Sequence, residues 1–553
     1  MKIIALIIFF VTSVFAQNQL AYIAGEYHSD FGIRIIQTFD GGYAIIGQTI
    51  SFGAGTWDIF LLKFSPHHSL EWAKTYGGDS VDVAFDIIQT PDSGYAFTGL
   101  TRSFGVGLSD AYIAKVDSKG SLQSFITFGG VEREESWDIE TTTDNGFIIS
   151  GCTESYGAGL LDILFAKFDS SLSVEWIKTV GSDSSEYSVA CVQANDTGFA
   201  IVASSKSAPA FPGKHCMLVV KLDKFLAIEW AKGISGDDHD HNYGNGIIQT
   251  TDGGYSATGK AGTPGVSGGG SAFLVKLDST GMLQWSKTIG TIDFDKTDYI
   301  IKTYDNGYVL SGYTGQWGAP GSDEDLYDFF ITKLDSSGSL EWARKVGDEY
   351  IKDWGYSVIQ TSDSGYAMVG KTMTYRFSIL DTVYWNLLYV KFDSNGDNCI
   401  ASDITSDVTV DYVLSTVDDI TSIIEISDIS PDVMDVTAEI IEMDVSPLNL
   451  VICETSTDTP EPHREIKSFT LNVFPNPFNS AAAIQFSLPH SGPVNLKIFD
   501  VYGIERKTLA NGIYPAGNHY FMLNGNNLSS GIYFCKLTVG NVFSQTKKIL
   551  FLK

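Results

Sequence analysis

Residues 19–398 alternate short apolar runs with turns rich in Gly, Asp, Asn and Ser. In one copy of the pattern, an apolar run over 82–90 ends in Thr, and a second run covers 95–99 after an Asp-Ser-Gly turn. A Gly-rich loop leads to a third run over 110–117. A fourth run, clearest over 69–75, carries a Trp and ends before a Gly-Gly pair. Apolar runs of this length between turn residues predict β-strands joined as hairpins.

The pattern occurs seven times, and each copy is marked by a Gly followed by Tyr or Phe. Successive pairs stand 52 to 58 residues apart, at Gly42-Tyr43, Gly94-Tyr95, Gly146-Phe147, Gly198-Phe199, Gly254-Tyr255, Gly307-Tyr308 and Gly365-Tyr366. A period near fifty that contains several strands is typical of stacked or circular β units. Seven such units predict an all-β fold built around a seven-bladed β-propeller.

Loop lengths indicate which strands share a blade. The two short turns of each copy join neighbours within one sheet, whereas the longer loop after the Gly-Gly pair leads to the next blade. The strand that ends in Thr is then innermost, and the Trp strand is outermost. The seventh copy lacks its Trp strand, and residues 19–25 form a lone strand of that type. We expect this N-terminal strand to complete blade seven and close the ring, which removes an exposed sheet edge.

Alignment of the copies reveals two charged columns. The acidic column stands eight residues before the end of each inner strand and comprises Asp30, Asp82, Glu134, Glu186, Asn242, Asp295 and Asp353. The basic column is Lys in every copy, at Lys63, Lys115, Lys167, Lys221, Lys276, Lys333 and Lys391. One interpretation is a ring at the channel mouth that binds a cation or a polar ligand. The other is structural bonding to an adjacent blade or between the columns, which the sevenfold repetition favours.

Departures from the repeat are better candidates for a functional site. The loop that enters the fifth copy contains His239, Asp240 and His241, residue types that bind transition metals. The sixth copy carries Asp323 and Asp325, a candidate weak Ca²⁺ site. The alternative in both places is a solvated acidic loop.

Three tryptophans in loops also depart from the repeat: Trp57, Trp317 and Trp385. Their rings are candidates for stacking on sugars, and the alternative is that they anchor the loops. The sequence predicts no catalytic residue, because no paired carboxylates, zinc-protease helix or phosphate loop survive inspection of their surroundings.

Charge and the N-terminal residues place the chain in a cellular context. Residues 1–16 have the order of a secretory signal peptide, with Lys2, an apolar run and Ala16 before the cleavage point. No later stretch is long and apolar enough for a transmembrane helix, so a soluble mature protein is expected. The formal net charge of −30 argues against nucleic acid and anionic membranes as partners.

Six cysteines are too few for a disulfide scaffold. Four stand in apolar strand patterns and are expected to be buried thiols: Cys152, Cys191, Cys216 and Cys535. Cys399 and Cys453 bracket a segment, 400–463, that contains fifteen Asp or Glu and no Lys or Arg. In an oxidising compartment we expect these two to form a disulfide. The segment is interpreted either as extended β-structure or as a charged stalk.

The last part of the chain resembles a known family. The motifs are Val473-Phe474-Pro475-Asn476-Pro477-Phe478-Asn479, the run 496–503, Leu528-Ser529-Ser530-Gly531-Ile532-Tyr533 and the tail 547–550. Together they resemble the C-terminal sorting domain of type IX secretion system cargo. The resemblance implies an immunoglobulin-like β-sandwich, export from a Gram-negative bacterium, and the secretion machinery as a partner. The preceding repeats resemble the Gly-Tyr repeat propellers found in such cargo.

These observations divide the chain into four parts. They are a signal peptide (1–16), the propeller (17–399), an acidic β-rich segment with a linker (400–466) and the sorting domain (467–553). The expected function is non-catalytic binding or adhesion at the cell surface, with a glycan or a protein as ligand. The alternative is a secreted hydrolase or lyase with its active site on one propeller face. No cofactor is expected apart from the candidate Ca²⁺.

Overall fold

The computed structural model falls into two compact units, Met1–Thr457 and Asp458–Lys553. The residues that it describes are 20–25, 28–208, 213–236, 242–262, 270–291, 294–316, 326–347, 352–375, 383–398, 401–403, 409–412, 416–419, 425–428, 432–435, 441–444, 448–454, 470–474, 481–488, 492–514, 517–524, 529–540 and 543–551. The expected signal peptide lies outside these residues. Within them, no helix is long and apolar enough to cross a membrane.

The first unit contains seven antiparallel sheets of five strands each. The first strands of sheets one to seven are β2 Asp30–Gln37, β6 Asp82–Gln89, β10 Glu134–Thr141, β14 Glu186–Gln193, β18 Tyr243–Gln249, β22 Phe294–Lys302 and β26 Asp353–Gln360. The second strands are β3 Tyr43–Thr49, β7 Tyr95–Thr101, β11 Phe147–Thr153, β15 Phe199–Ser205, β19 Tyr255–Gly262, β23 Tyr308–Gln316 and β27 Tyr366–Tyr375. The third strands are β4 Asp58–Phe64, β8 Asp110–Val116, β12 Asp162–Phe168, β16 Cys216–Leu222, β20 Gly270–Leu277, β24 Leu326–Leu334 and β28 Val383–Phe392.

The fourth strands of sheets one to six follow directly in the chain. They are β5 Leu70–Gly77, β9 Leu122–Gly129, β13 Val174–Gly181, β17 Ile228–Ser235, β21 Leu283–Gly290 and β25 Leu340–Val346. In sheet seven this place is taken by the N-terminal strand β1, Leu20–Gly25, which pairs antiparallel with β28, as the sequence predicted. The register sets Leu20 opposite Lys391 and Ala24 opposite Leu387.

Neighbouring sheets pack face to face through their second and third strands. These strands are buried along most of their length, because apolar residues occupy both of their faces. Each first strand carries a β-bulge, as between Ala84 and Asp86. Opposite it stands Gly99, where an added Cβ would lie 1.9 Å from the Val83 carbonyl oxygen. Only glycine therefore fits beside the bulge.

The same side-chain bond joins consecutive sheets. Gln89 of sheet two accepts the Phe39 N–H of sheet one at 2.7 Å. Gln37 of sheet one accepts the Ser362 N–H of sheet seven in the same way, at 2.9 Å. One apolar cluster contains Ile45 and Phe60 of sheet one together with Tyr389 of sheet seven. Sheets seven and one are thus in contact, as sheets one and two are.

The acidic segment supplies the fifth strand of every sheet, and these seven strands are called the belt. In the order of sheets one to seven they are β34 Ile441–Asp444, β33 Asp432–Asp435, β32 Glu425–Asp428, β31 Thr416–Asp419, β30 Thr409–Tyr412, β29 Ala401–Asp403 and β35 Leu448–Glu454. The chain therefore passes the sheets in the order six, five, four, three, two, one and seven. The expectation that the Trp strand is outermost was wrong, because the belt pairs with its outer edge.

Complementary charge accompanies the pairing of the belt. The register sets Asp444 opposite Lys74, Asp428 opposite Lys178, Asp419 opposite Lys232 and Asp403 opposite Arg344. Opposite charges at directly paired positions stabilise an antiparallel ladder. In four of the seven sheets, the register therefore sets an Asp of the belt opposite a basic residue of the fourth strand.

The second unit is a separate small β domain. A three-stranded sheet has the order β36 Thr470–Phe474, β37 Ala481–Leu488, β40 Gly517–Asn524. A four-stranded sheet has the order β39 Glu505–Tyr514, β38 Gly492–Asp500, β41 Gly531–Val539, β42 Phe543–Phe551. Alternate residues of both sheets form one core, including Ile484, Phe486, Leu496 and Leu537. Cys535 is a free thiol in this core, and the other three cysteines expected as buried thiols are also buried and free.

Candidate functional site

The acidic column lies buried where one sheet connects to the next. Asp82 accepts the Gly78 N–H at 2.7 Å and the Ser103 hydroxyl at 2.6 Å. Glu134 accepts the Gly130 N–H and the Thr153 hydroxyl, both at 2.7 Å. Gly78 and Gly130 directly follow the fourth strand of the preceding sheet. These carboxylates therefore bond the loop between sheets.

The seven lysines of the basic column contact carboxylates of the turn between the first and second strands. Each pairs with an Asp two residues before a Gly-aromatic pair: Asp40, Asp92, Asp144, Asp196, Asp252, Asp305 and Asp363. Lys221 also pairs with Glu229 at 2.9 Å and donates to the Leu222 carbonyl oxygen at 2.9 Å. The pairing of these turn aspartates with the lysines was not predicted from the sequence, although all seven copies contain such an Asp.

The seven sheets differ most at the residue that follows each acidic position. This column reads Phe31, Val83, Glu135, Tyr187, Tyr243, Lys296 and Trp354. Two of its aromatic members, Phe31 and Trp354, lie on sheets one and seven, which are in contact. An alignment of the repeats contains this difference between the copies.

Around these two rings the structure forms an aromatic–lysine cluster, which consists of Phe31, Trp57, Trp354, Tyr356, Lys371 and Trp385. The Phe31 ring centroid lies 5.1 Å from that of Trp57 and 6.4 Å from that of Trp385. The Trp354 and Trp385 centroids are 5.2 Å apart. Two of the three tryptophans singled out in the sequence thus flank one ring. Trp317 lies outside the described residues.

Lys371 stands at the centre of the cluster and is only 6% exposed. Its Nζ lies 3.6 Å from the Trp354 ring centroid, 4.5 Å from that of Trp385, 4.6 Å from that of Phe31 and 5.6 Å from that of Tyr356. Cation–π attraction therefore holds this ammonium from several sides. Burial lowers the pKa of Lys371 to about 7, against a smaller opposing effect of Asp298.

Two polar groups of the cluster have no hydrogen-bond partner among the described residues. The Trp354 indole Nε1 is buried without an acceptor. The Lys371 ammonium makes no hydrogen bond or ion pair with any residue in the described part of the chain, and its contacts are the four rings. Buried donors in folded proteins are ordinarily paired with a hydrogen-bond acceptor. Two unpaired donors in one place therefore indicate that an acceptor from another molecule binds there.

More rings and lysines continue from the cluster onto sheet six. The Tyr313 centroid lies 5.7 Å from that of Trp354, and the Lys296 Nζ lies 5.8 Å from the Tyr313 centroid. Lys296 pairs with Asp298 at 2.7 Å. Burial and the nearby Lys296 charge lower the pKa of Lys260 on sheet five. Lys371, Lys296 and Lys260 thus follow one another from sheet seven to sheet five, in a chain whose net charge is −30.

A second group of charges crosses between the first strands. Arg34 Nε donates to Asp86 at 2.6 Å, and its guanidinium lies 4.0 Å from the Tyr299 ring centroid of sheet six. Asp86 and Asp138 also accept the backbone N–H of Ile139 and Cys191 on the following sheets, at 3.0 and 2.8 Å. These aspartates therefore tie the sheets together.

A cavity of about 280 Å³ adjoins this group and is lined by Asp138, Glu140 and Tyr299 among others. Burial, followed by the charge of Asp86, raises the pKa of Glu140 to about 7. The protonated form of Glu140 is therefore favoured at mildly acidic pH.

The remaining site predictions lie outside the described residues. They concern His239, Asp240, His241, Asp323, Asp325 and Cys399. Cys453 lies on β35 opposite Ala21, but its side chain is not described. Among the residues that the structure does describe, no group of three His, Cys, Asp or Glu side chains is placed to hold a metal ion.

In the second unit, the turn after β38 is built on Asp500. Its carboxylate accepts the N–H groups of Tyr502 and Ile504, both at 2.9 Å, and pairs with Arg506 at 2.6 Å. This turn ends the run 496–503 on which the family resemblance partly rests.

Two solved structures that match this chain have low sequence identity to it. The V. cholerae biofilm matrix protein Bap1 is 10% identical over 91% of this chain and 89% of its own, with a TM-score of 0.19. A xylan beta-1,4-xylosidase from Bacillus Halodurans C-125 is 9% identical over 72% of this chain and 99% of its own, with a TM-score of 0.21. At these TM-scores neither similarity carries an argument about fold or activity. No curated protein matches the sequence.

The C-terminal part does match a family model. Residues 472–551 match the secretion system C-terminal sorting domain, and they span the strands of the second unit almost completely. The match confirms that residues 472–551 are a C-terminal sorting domain. The chain is cargo of the type IX secretion system, secreted from a Gram-negative bacterium or held on its surface.

Proposed function

We propose that this protein is an exported, non-catalytic binding module whose seven sheets close into a β-propeller and hold a glycan at the aromatic–lysine cluster. Residues 17–399 with the belt form the binding unit in this proposal, and residues 467–553 form an immunoglobulin-like export domain. Closure of the ring is supported by the matching bonds Phe39–Gln89 and Ser362–Gln37, which join sheets one to two and seven to one.

The single observation that carries the glycan proposal is the convergence of half-buried rings from sheets one and seven on one spot. Sheets two and three do not repeat this arrangement, since Val83 and Glu135 occupy the position of Phe31 and Trp354. A structural residue follows the symmetry of the repeats, whereas a binding site breaks it. Flat aromatic faces with a few polar donors are suited to sugars, which present apolar C–H faces and hydroxyls.

The alternative, a hydrolase or lyase, has less support. It would need acids or histidines to converge in a pocket formed by unequal loops. In the described part of the chain, Asp86 and Asp138 are engaged by Arg34 and by backbone N–H groups of the neighbouring sheets.

The proposal is tested by screening the full-length protein on a glycan array and measuring the affinity of the best ligands. Trp385→Ala removes one ring of the cluster and is expected to weaken binding at least tenfold. Phe225→Ala is the matched control, because Phe225 is 79% exposed on sheet four and lies outside the cluster. Absence of any glycan ligand, or an unchanged affinity in Trp385→Ala, contradicts the proposal.

A further inference from the structure

We infer that the aromatic–lysine cluster selects a carboxylate-bearing glycan, of the uronic acid class, and that Lys371 receives the carboxylate. This inference rests on the proposed glycan binding and adds the charge of the ligand. It begins from the fact that the cluster holds a buried lysine for which the described residues provide no ion pair.

The basic column of the same protein provides the comparison. Every lysine of that column has a carboxylate partner within 3.0 Å, and Lys391, 1% exposed, pairs with Asp363 at 2.9 Å. Lys371 is almost as buried but has only ring faces around it. Rings attract the ammonium, but they accept no strong hydrogen bond from its three N–H donors. The partner that this lysine lacks is therefore an acceptor with negative charge.

The neighbouring unpaired donor fits the same ligand. The Trp354 Nε1–H is buried without an acceptor, and the Lys371 Nζ lies 3.6 Å from the ring of the same residue. Two donors that share one neighbourhood match the two oxygens of a carboxylate. The sugar ring that carries this carboxylate would lie against the faces of Phe31 and Trp385. A neutral sugar would fill the apolar part of the cluster but leave the ammonium without a counter-charge.

The net charge of the protein bears on how an acidic ligand could bind. With a net charge of −30, the chain as a whole repels an acidic polymer. Binding of such a polymer therefore needs a local positive charge, and Lys371 provides one that no described carboxylate pairs with. Since a hydrogen bond to a charged group contributes about 1.5–3 kcal/mol, the acidic ligand should bind about 10- to 150-fold more tightly than its neutral counterpart.

The experiment is isothermal titration of the full-length protein with four acidic oligosaccharides: oligogalacturonate, oligomannuronate, oligoguluronate and hyaluronan fragments. Each is paired with its carboxyl-reduced form, in which CH₂OH replaces COO⁻. We expect at least one acidic oligomer to bind ten times or more as tightly as its reduced form. This comparison needs no variant of the protein.

Lys371→Met then assigns the preference to one residue. Met keeps the length of the side chain within the rings and removes the charge, so the variant should lose the preference while it still binds the reduced oligomer. Lys119→Met is the control, since Lys119 lies in an exposed turn of sheet two and its loss changes the net charge equally. The preference of the wild type should also weaken as NaCl is raised from 50 to 500 mM.

The outcomes separate the two proposals. If acidic and reduced oligomers bind equally, or if Lys371→Met retains the preference, the inference fails and glycan binding stands. If neither form of any oligomer binds and the array also yields no ligand, both fail. If only neutral glycans bind on the array, glycan binding stands and the carboxylate is excluded.

Discussion

The basic column allows one substitution to be made at two equivalent positions with different surroundings. Lys221 is 2% exposed, pairs with Asp196 and Glu229 at 2.9 Å, and donates to the Leu222 carbonyl oxygen. Lys115 is 18% exposed, and in the described part of the chain its one ion pair is with Asp92 at 2.9 Å. The reason for the difference is in the sequence, since Gln123 stands where the fourth sheet has Glu229.

The magnitudes follow from these contacts. Lys221→Met removes a buried ammonium that bonds two carboxylates and a carbonyl, at about 3 kcal/mol for charged hydrogen bonds of this kind. The partner carboxylates Asp196 and Glu229 are about half exposed and regain water, so the loss stays below the sum of three bonds. Lys115→Met removes one partly exposed ion pair, at about 1 kcal/mol.

Calorimetry of the full-length protein measures the difference. With an unfolding entropy of about 2.1 cal/mol/K per residue over roughly 400 residues, the Tm should fall by about 4 °C for Lys221→Met and about 1 °C for Lys115→Met. Urea titration gives the same order as free energies of unfolding. Equal losses at the two positions, or a larger one at Lys115, would refute the assignment of the effect to buried ion pairing.

Two further predictions concern the belt and the dependence of stability on pH. A chain that ends at residue 398 lacks the belt and exposes seven strand edges, so light scattering should show dimers and larger species that a chain ending at residue 457 does not form; a monomeric 1–398 would contradict the edge argument. Burial raises the pKa of Asp58 and Asp162 to about 6, above the ordinary 3.8, so the free energy of unfolding should fall as the pH rises from about 4 to about 6. The bond from Lys167 lowers the pKa of Asp144 to about 2, so stability from this pair should be lost as the pH falls from about 4 to about 2. Chemical denaturation of an Asp58→Asn/Asp162→Asn variant across pH 2–7 should show a flatter upper limb and an unchanged lower one; an unchanged upper limb would contradict the assignment.

The seven sheets could be predicted because the same pattern of apolar runs and turns occurs in each copy of the repeat. The Gly-aromatic pairs located seven sheets, and the missing Trp strand of the seventh copy located the partner of β1. The belt was not predicted, because its strands pair over only three to six residues. Their starts at 401, 409, 416, 425, 432, 441 and 448 recur every seven to nine residues, a period unrelated to that of the sheets.

The candidate site was less accessible from the sequence for a different reason. Trp57 and Trp385 were named there, but Phe31, Trp354 and Lys371 were not. Phe31 and Trp354 are more than three hundred positions apart and meet because sheets seven and one are in contact. The absence of an ion pair at Lys371 depends on which side chains surround it in the folded protein. The spacing of residues in the sequence does not predict those neighbours.

The reverse course of the belt sets an order of events during synthesis. The separation in sequence between the fourth and fifth strands is shortest in sheet six, where β29 begins fewer than sixty residues after β25 ends. Among the first six sheets this separation is longest in sheet one, where β5 ends at Gly77 and β34 begins at Ile441. Sheet seven combines β1 from the start of the chain, β26–β28 and β35 from the end of the unit. Contacts so distant in sequence form slowly, because long loops must close first. Sheet seven can therefore be completed only after Glu454 has been made, and its assembly marks the completion of the first unit.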